Sequence, residues 1–562
     1  MDAIEAAIKN GYHINDIPEF KDKTWGDFER DCTGKYVYLF GAGIGVESFF
    51  RKFQDKLGLI KGGGVIDNNQ DMQGFPVECL STCMPDNFFK NSHITDISVL
   101  SDVSADEYVI LITSIKKYAE IALTLKQLGI TNYYSLLCME YFFRKENYNY
   151  LPLNGVSLYE IVAQKLKGYP VRPNKVYIET YYTYEGHGKS ILKKLSNMRP
   201  DLDIVWVGKY RPAVSDIPNV RYITNNNVSS MMYEFATSKI LLTDGIPSCW
   251  DIKKADQILI QMKHWSSITL KEFYWYEFKD RCTNDELKIE KEKYSKLDYI
   301  FVGSKFDEDT CREGFLFEGP SVYVGSPRSD VLFGKESLPI REIYNISPQT
   351  KILLYAPTFR LYEKNWKRKW KTIDVFIDLD FENIKKSLED KTGDEWVIFL
   401  RLHPILSDQK KDFSLPKYVI DVSDYPDSEE LVVVSNAMVA DYSSIMFEPA
   451  FVKKPVFLLA TDKDEYLRRE RGFLINYETL PFPIAESNEE LAKNVANFDY
   501  DSYVKKVDAF FEKYGLHEDG HASERATRFI LDLLDGMVHE GKARDEVDYV
   551  VSNAIRGGDG EC

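Results

Sequence analysis

The sequence predicts an α/β protein of parallel sheets divided into several domains, and three observations carry that expectation. The chain has 562 residues, room for more than one core, since domains usually run to ~100–200 residues. Three stretches in its second half share one pattern: Lys351–Arg360 (KILLYAPTFR), Val397–Pro404 (VIFLRLHP) and Val432–Leu458 (VVVSNAMVADYSSIMFEPAFVKKPVFL). Each opens on a short apolar, β-branched-rich run, which suits a buried strand, and each run ends in polar residues. The first 150 residues carry a βαβ pattern with glycines at its first turn.

Taken in order, Tyr36–Phe40 reads as a strand, followed by Gly41, Gly43 and Gly45 and a helix through Phe53. A second strand ends at Asp67, and Val109–Thr113 is a third. Glycines at the first turn and an acid at the second strand's end are the parts of a nucleotide site, but GAGIGVE lacks the third glycine of GxGxxG. Nucleotide binding and a purely structural Rossmann-like module both remain open. The stretch YLFGAG…GVIDNNQDMQGFPV resembles small Rossmann-like domains attached to sugar-modifying enzymes, a resemblance that implies fold more than ligand. Pro152, Gly168, Pro170 and Pro173 mark a boundary, giving a first domain over 1–150 and a second from 175.

In the second domain Lys175–Glu179, Ile204–Val207, Ile240–Leu242, Ile258–Gln261 and Tyr299–Val302 read as strands. After the first of these, YEGHGKSILKKL (Tyr184–Leu195) opens a helix. Gly186, Gly188 and Ser190 there either bring backbone close to a phosphate or form a plain turn and N-cap. His264 follows the Ile258–Gln261 strand, with Lys271 seven residues on. A surface or capping histidine is the alternative; its place at a strand end favours catalysis.

The three later strand ends present Thr358 and Arg360, Arg401 and His403, and Asp441, Ser443 and Ser444. In an open parallel sheet, ligands bind outside the carboxyl ends of the strands. Two arginines, a histidine and two serines aimed at one crevice suit a diphosphate. Ser443 and Ser444 precede a helix expected over Ile445–Val452, whose N-terminus offers unpaired N–H groups and positive dipole charge. A simple N-cap is the competing reading. Glu448, on the first turn, either accepts from a ribose or is a solvated acid.

These residues carry a family resemblance. YAPTFR, RLHP and DYSSIMFEPAFVKKPVF resemble the donor-domain motifs of CDP-glycerol glycerophosphotransferases, which polymerise teichoic acids and related phosphodiester glycans. The resemblance runs from about Lys175 to about Ile530 and implies a GT-B fold: two Rossmann-like domains with the active site between them, here preceded by the small N-terminal one. It implies an acceptor-side domain over 175–325, a donor domain over 326–535 and a polar tail over 536–562. Gly325, Pro327, Arg328 and Asp330 match the family's Gly-x-Pro-Arg-x-Asp piece; Arg328 either touches phosphate or pairs with Asp330, and the structural role is preferred. Asp519, Gly520 and Ser523 resemble its closing Asp-Gly-x-Ala-Ser-x-Arg segment, with Ser523 an N-cap or a phosphate contact. Where the family carries Trp-His-Gly-Thr-Pro-Leu-Lys, this chain has Lys-His-Trp-Ser-Ser-Ile-Thr-Leu-Lys, two residues longer; His264 and Lys271 resemble its histidine and final lysine.

The implied reaction is displacement at phosphorus of a CDP-alditol donor by a hydroxyl of a glycan or lipid-linked polymer. His264 is expected to be the base, since histidine titrates near operating pH. His403 is expected to be catalytic with His264, acting on the diphosphate; Thr358, Arg360, Arg401, Ser443, Ser444, Glu448 and Ser523 are expected to hold the donor, and Gly188, Ser190 and Lys271 the acceptor. No cofactor and no metal are expected, because no DxD pair or carboxylate cluster calls for one. A nucleotide-sugar GT-B transferase and a non-catalytic glycan-binding or scaffold protein of capsule assembly are the other readings.

A net charge of −17 argues against a general nucleic-acid binder. No run of ~18 apolar residues marks a membrane span, no signal-peptide core opens the chain, and scattered cysteines suit a reducing cytosol. Lys364, Lys367, Arg368, Lys369 and Lys371 flank Trp366 and Trp370 in a local reversal of charge. That segment is either a solvated loop or a contact for a polyanionic acceptor or the anionic inner face of the membrane.

Overall fold

The structure, a computed structural model, describes residues 25–81, 84–85, 87–114, 117–136, 163, 166–180, 185–208, 217, 220–224, 228–279, 282–334, 338–364, 370–374, 377–403, 406, 414–537 and 549–551. These form three main sheets in chain order. The N-terminal sheet is parallel, built from β1 (Tyr36–Phe40), β2 (Lys61–Ile66), β3 (Tyr108–Ile112) and β4 (Tyr133–Ser135) in the order β2-β1-β3-β4. The Ile44–Phe53 helix buries Val46, Phe49, Phe50 and Phe53, a single face at helical spacing.

The middle sheet contains β5 (Arg172–Glu179), β6 (Asp203–Gly208), β7 (Val220–Thr224), β8 (Ser238–Thr243), β9 (Ile258–Gln261), β10 (Tyr299–Val302) and β11 (Ser321–Tyr323). Its order, β11-β10-β9-β8-β5-β6-β7, reverses direction between β5 and β8. The third sheet comprises β12 (Lys351–Ala356), β15 (Trp396–Leu400), β16 (Val419–Asp421), β17 (Ala437–Ala440), β18 (Val456–Leu459) and β19 (Ile484–Ala485), with an antiparallel hairpin of β13 (Arg360–Lys364) and β14 (Trp370–Asp374) inserted after β12. Its order is β16-β15-β12-β17-β18-β19, and the switch falls between β12 and β17. At such a reversal the connecting helices leave on opposite faces of the sheet, opening a crevice at the strands' carboxyl ends. The two crevices face one another, so this is the GT-B arrangement.

The structure departs from the sequence expectations in three places. Val432–Val434 is helix, not strand: Asp427 caps the Ser428–Val434 helix by accepting from the backbone N–H of Glu429 at 3.1 Å and Glu430 at 3.4 Å. The cap and the burial of Leu431 and Val432 outweigh the β preference of the valines. The strand starts later, at Ala437. The Ala522–Leu534 helix, placed by sequence at the end of the donor domain, returns to the middle one. Its Ala526, Phe529 and Ile530 lie in the same apolar cluster as Val176, Ile178 and Leu192. Within the expected polar tail, β20 (Val550–Val551) pairs antiparallel with β11 and buries Val551. Among the described residues no helix is long and apolar enough to cross a membrane.

Candidate active site

Asp441, buried at the end of β17, organises the donor side of the cleft. Its carboxylate accepts from the Thr358 backbone N–H at 3.0 Å, the Thr358 hydroxyl at 2.7 Å and Arg360 Nη1 at 3.0 Å. One acid therefore binds the end of β12 to the end of β17 at the switch point. Arg360 also donates to Asp462 through Nε at 2.7 Å and Nη2 at 3.0 Å, and to the Thr358 carbonyl at 2.6 Å. Four of its five N–H donors are thus spent inside the domain, under the rings of Tyr442 and Tyr466. Arg401 is committed in the same way: Nη1 donates to the carbonyls of Val422, Ser423 and Tyr425. Both arginines were expected on the diphosphate. They instead brace the loops around it, because a buried guanidinium must satisfy its donors wherever carbonyls and carboxylates are nearest.

The serine turn also differs from expectation. Residues Ser444–Met446 form one 3₁₀ turn before the short Phe447–Phe451 helix, and Ser443 precedes it without capping it. Ser444 Oγ lies 3.0 Å from Thr269 Oγ1 and accepts from the Leu270 N–H at 3.2 Å, so it joins the two domains. Glu448 is buried, not presented to a ribose. It lies 3.4 Å from Arg328 Nε, and its Oε2, like that of Glu429, finds no donor. Burial, opposed by Arg328 and reinforced by Glu429, pushes the Glu448 pKa well above the usual carboxylate value.

The acceptor side begins at β5. In the Gly186–Met198 helix, Gly188 is buried where an added Cβ would meet Trp206 at 3.0 Å and Ile178 at 3.1 Å, so helix-to-sheet approach explains this glycine. Ser190, two residues on, is half-buried. His187, unremarked in the sequence, is buried with Nε2 2.7 Å from the Trp265 carbonyl and Nδ1 accepting from the Arg328 N–H at 3.3 Å. That pairing fixes a neutral ring, and burial holds its pKa well below the ordinary value. Lys189 crosses the cleft to Asp427 at 2.6 Å and Glu430 at 2.9 Å. Glu185, just before the helix, keeps Oε2 buried without a donor, 3.9 Å from Arg401, and burial raises its pKa to about 7.

His264 sits on the loop after β9. Lys263 adopts a left-handed φ of 56° and pairs with buried Asp307, which turns the chain so that the next side chain faces the cleft. Arg328 donates to the His264 carbonyl and pairs with Glu429, so it spans both domains and does not bond Asp330. Asp330 instead accepts from the N–H groups of Ala522 at 3.0 Å and Ser523 at 2.7 Å, and from the Ser523 hydroxyl. Ser523 is thereby removed from the expected phosphate contact. The carbonyl of Asp244, at the end of β8, lies 3.4 Å from His264 Nδ1; a carbonyl can only accept, so Nδ1 carries the proton and Nε2 the lone pair.

Four cationic or titratable side chains meet in the cleft: His264, His403, Lys271 and Arg471. Solvent reaches His264 from the cleft, yet its surroundings push its pKa to about 4, through lost hydration first and then Arg328, Arg471 and Lys271. Burial, then Lys271, His264, Arg401 and Arg471, push His403 to about 3; its ring centroid lies 4.8 Å from that of Phe359. Burial and Arg471 bring Lys271 down to about 8. Both histidines are therefore neutral at pH 7. Arg471 and Glu185 carried no sequence signal of their own: neither ends an apolar run. Among the described residues no group of three or more His, Cys, Asp or Glu could hold a metal ion.

Lys367 and Arg368 lie outside the described residues. In the N-terminal domain, Gly41 has a φ of 115° and sits where a Cβ would be 2.5 Å from Ser114; at Gly45 it would be 2.1 Å from the Thr113 carbonyl oxygen. Those glycines serve close packing on the end of β3, while Gly43 faces open space. Asp67 accepts from the N–H groups of Ala42 at 2.7 Å and Asn69 at 2.8 Å, so the loop's own backbone occupies it.

The model of the CDP-Glycerol:Poly(glycerophosphate) glycerophosphotransferase family matches residues 161–532. A teichoic acid poly(glycerol phosphate) polymerase of Staphylococcus epidermidis is 29% identical over 409 residues, covering 68% of this chain and 53% of that protein. The chain thus spans about half the length of that relative. A teichoic acid ribitol-phosphate primase of Bacillus spizizenii is 28% identical over 315 residues, covering 54% of this chain and 77% of that protein. A solved structure of the wall teichoic acid polymerase TagF, a histidine variant soaked with CDPG, is 25% identical with a TM-score of 0.56, covering 68% of this chain and 93% of that one. With the family model spanning more than half of its length and the facing sheets in place, the chain belongs to the CDP-glycerol:poly(glycerophosphate) glycerophosphotransferase family.

Proposed function

We propose that the chain transfers glycerol phosphate from CDP-glycerol to a hydroxyl of a teichoic-acid-like or capsular glycan, releasing CMP. The observation that carries this reading is the cleft itself: two neutral histidines among Lys271 and Arg471, between two switch points. The acceptor oxygen bonds to the phosphorus bearing glycerol, and the bond from that phosphorus to the bridging oxygen breaks. The bridging electron pair leaves with CMP. His264 Nε2 takes the hydroxyl proton, and His403 faces the phosphates from the donor side. Positioning and charge balance carry most of such a transfer, and no cofactor takes part. The acceptor is a growing polymer presented at the inner face of the cytoplasmic membrane, where the basic segment with Lys367 and Arg368 meets polymer or lipid.

CDP-ribitol is the second reading, favoured by the similarity to the ribitol-phosphate primase. The test is CMP release by purified protein given CDP-glycerol or CDP-ribitol with a glycerol-phosphate-primed acceptor. CMP release should fall about 100-fold or more in His264→Ala and His403→Ala, with melting unchanged. Absence of CMP from either donor, or near-normal rates in both variants, would overturn the assignment.

A further inference from the structure

The chain passes from the middle domain to the third and later returns, and both passages meet beside the loop that carries His264. The outward passage runs through residues 325–328 after β11. The return runs through residues 516–520, between the Tyr500–Tyr514 and Ala522–Leu534 helices. Two parallel bridges join the outward passage to the loop. The Glu518 carboxylate accepts from the Ser326 N–H at 3.0 Å through Oε2, and from the Ser267 hydroxyl through Oε1. The His187 ring accepts from the Arg328 N–H at 3.3 Å through Nδ1, and its Nε2 lies 2.7 Å from the Trp265 carbonyl.

The Glu518 bridge is built at close quarters. Gly325 has a φ of 86°, and a Cβ there would lie 3.1 Å from Glu518 Oε2. An added Cβ on Gly303 would overlap the Ser267 hydroxyl. Ser267 is fully buried, so its hydroxyl needs the partner that Glu518 supplies. Burial pushes the Glu518 carboxyl up to about 7, so the fold keeps this acid in place against lost hydration. Apolar side chains would pack these segments without that cost. What polar bridges add is direction, since each hydrogen bond sets an angle as well as a distance. The residues around His264 are held from several sides: Lys263 pairs with Asp307, the His264 carbonyl accepts from Arg328, and Trp265 and Ser267 carry the bridges.

We propose that Glu518 is a positioning residue for the transfer: with His187 it couples the domain crossing to the His264 loop and sets the direction in which His264 Nε2 meets the acceptor hydroxyl. The role rests on His264 being the base in the reading given above. In two-domain proteins a few residues at the crossings absorb the φ/ψ change of closure, and here the crossing is bonded directly to the loop. A base must lie within hydrogen-bond reach of the proton it takes. A small error in the loop is therefore felt in the chemical step and not in donor affinity. Neither Glu518 nor His187 touches substrate on this account.

The experiment compares wild type, Glu518→Ala, Glu518→Gln and Ser267→Ala in two readouts. One is steady-state CMP release from CDP-glycerol with a glycerol-phosphate-primed acceptor. The other is the ring-nitrogen NMR signals of His264 in protein carrying isotope-labelled histidine, identified by their loss in His264→Gln. In Glu518→Ala, kcat should fall about tenfold or more while KM for CDP-glycerol stays within about twofold, and the His264 signals should shift. Glu518→Gln should stay close to wild type in both readouts, because its amide carbonyl accepts from the Ser326 N–H and its amide nitrogen donates to Ser267 Oγ. Unchanged kcat and unchanged signals in Glu518→Ala and Ser267→Ala overturn the proposal. So does a Glu518→Gln protein as slow as Glu518→Ala, or a rise in KM that accounts for the whole loss. Should Glu518→Ala fail to fold, Ser267→Ala, which removes one hydroxyl, decides by the same criterion. If wild type releases no CMP while the His264 signals move in Glu518→Ala and stay in Glu518→Gln, the coupling stands and the transfer reading falls.

Discussion

At the scale of the residue, burial and neighbouring charge decide what each cleft side chain does. Lys271, with its pKa brought to about 8 by burial and Arg471, is charged below that pH and neutral above it. Anion binding that depends on its charge is therefore present below about pH 8 and lost as pH rises through it. The kcat/KM for CDP-glycerol should show this alkaline limb, and Lys271→Arg, charged throughout, should abolish it. A limb unmoved by the substitution would assign it to another group. Arg360 gives the opposite kind of prediction. It is buried against Asp441 and Asp462, so Arg360→Ala strands two carboxylates. It should cost about 3–5 kcal/mol of stability in urea unfolding. Loss of transfer with unchanged stability would instead return Arg360 to the ligand.

At the scale of the element, close approach and capping set the geometry. The Gly186–Met198 helix lies tight on β5 and β6 because Gly188 has no side chain between it and Trp206. Gly188→Ala should destabilise by about 1–3 kcal/mol through overpacking, and KM for the acceptor should stay as in wild type. A raised acceptor KM at unchanged stability would show instead that the backbone there touches substrate. The last helix shows the same logic across domains: the Asp330 carboxylate, from the stretch that enters the third domain, supplies its N-terminal hydrogen bonds. An acid at a helix N-terminus meets both the unpaired N–H groups and the dipole.

At the scale of the whole molecule, the N-terminal sheet is not isolated from the rest. Tyr38, Phe40 and Ile110 belong to one contiguous apolar cluster with Tyr177, Val205 and Leu241 of the middle sheet. A chain beginning at residue 151 should therefore expose apolar surface and melt below the full-length protein. Equal melting temperatures would show the N-terminal domain to be separable. The paired segments 270–272 and 472–474, the Ser444 contact and the Arg328–Glu429 pair tie the two later domains across the cleft.

The sequence by itself determined most of the strands, and that Thr358, His403, Asp441 and Ser443 follow strand ends of one parallel sheet. Apolar runs bounded by polar residues are local signals, and in a parallel sheet the strands' carboxyl ends share one edge. The family motifs were legible for the same reason: they are those strand ends. Only the tertiary structure decided which polar groups remain available for a ligand. Thr358 finds Asp441 across 83 residues of chain, Ser444 finds Leu270 across 174, and Ser523 finds Asp330 across 193. A buried donor or charge takes the nearest partner in space, whatever its distance in sequence, because leaving it unpaired is costly. That is why Arg360, Arg401 and Glu448, the most ligand-like residues by pattern, turned inward, and why Arg471, silent in the sequence, faces the cleft.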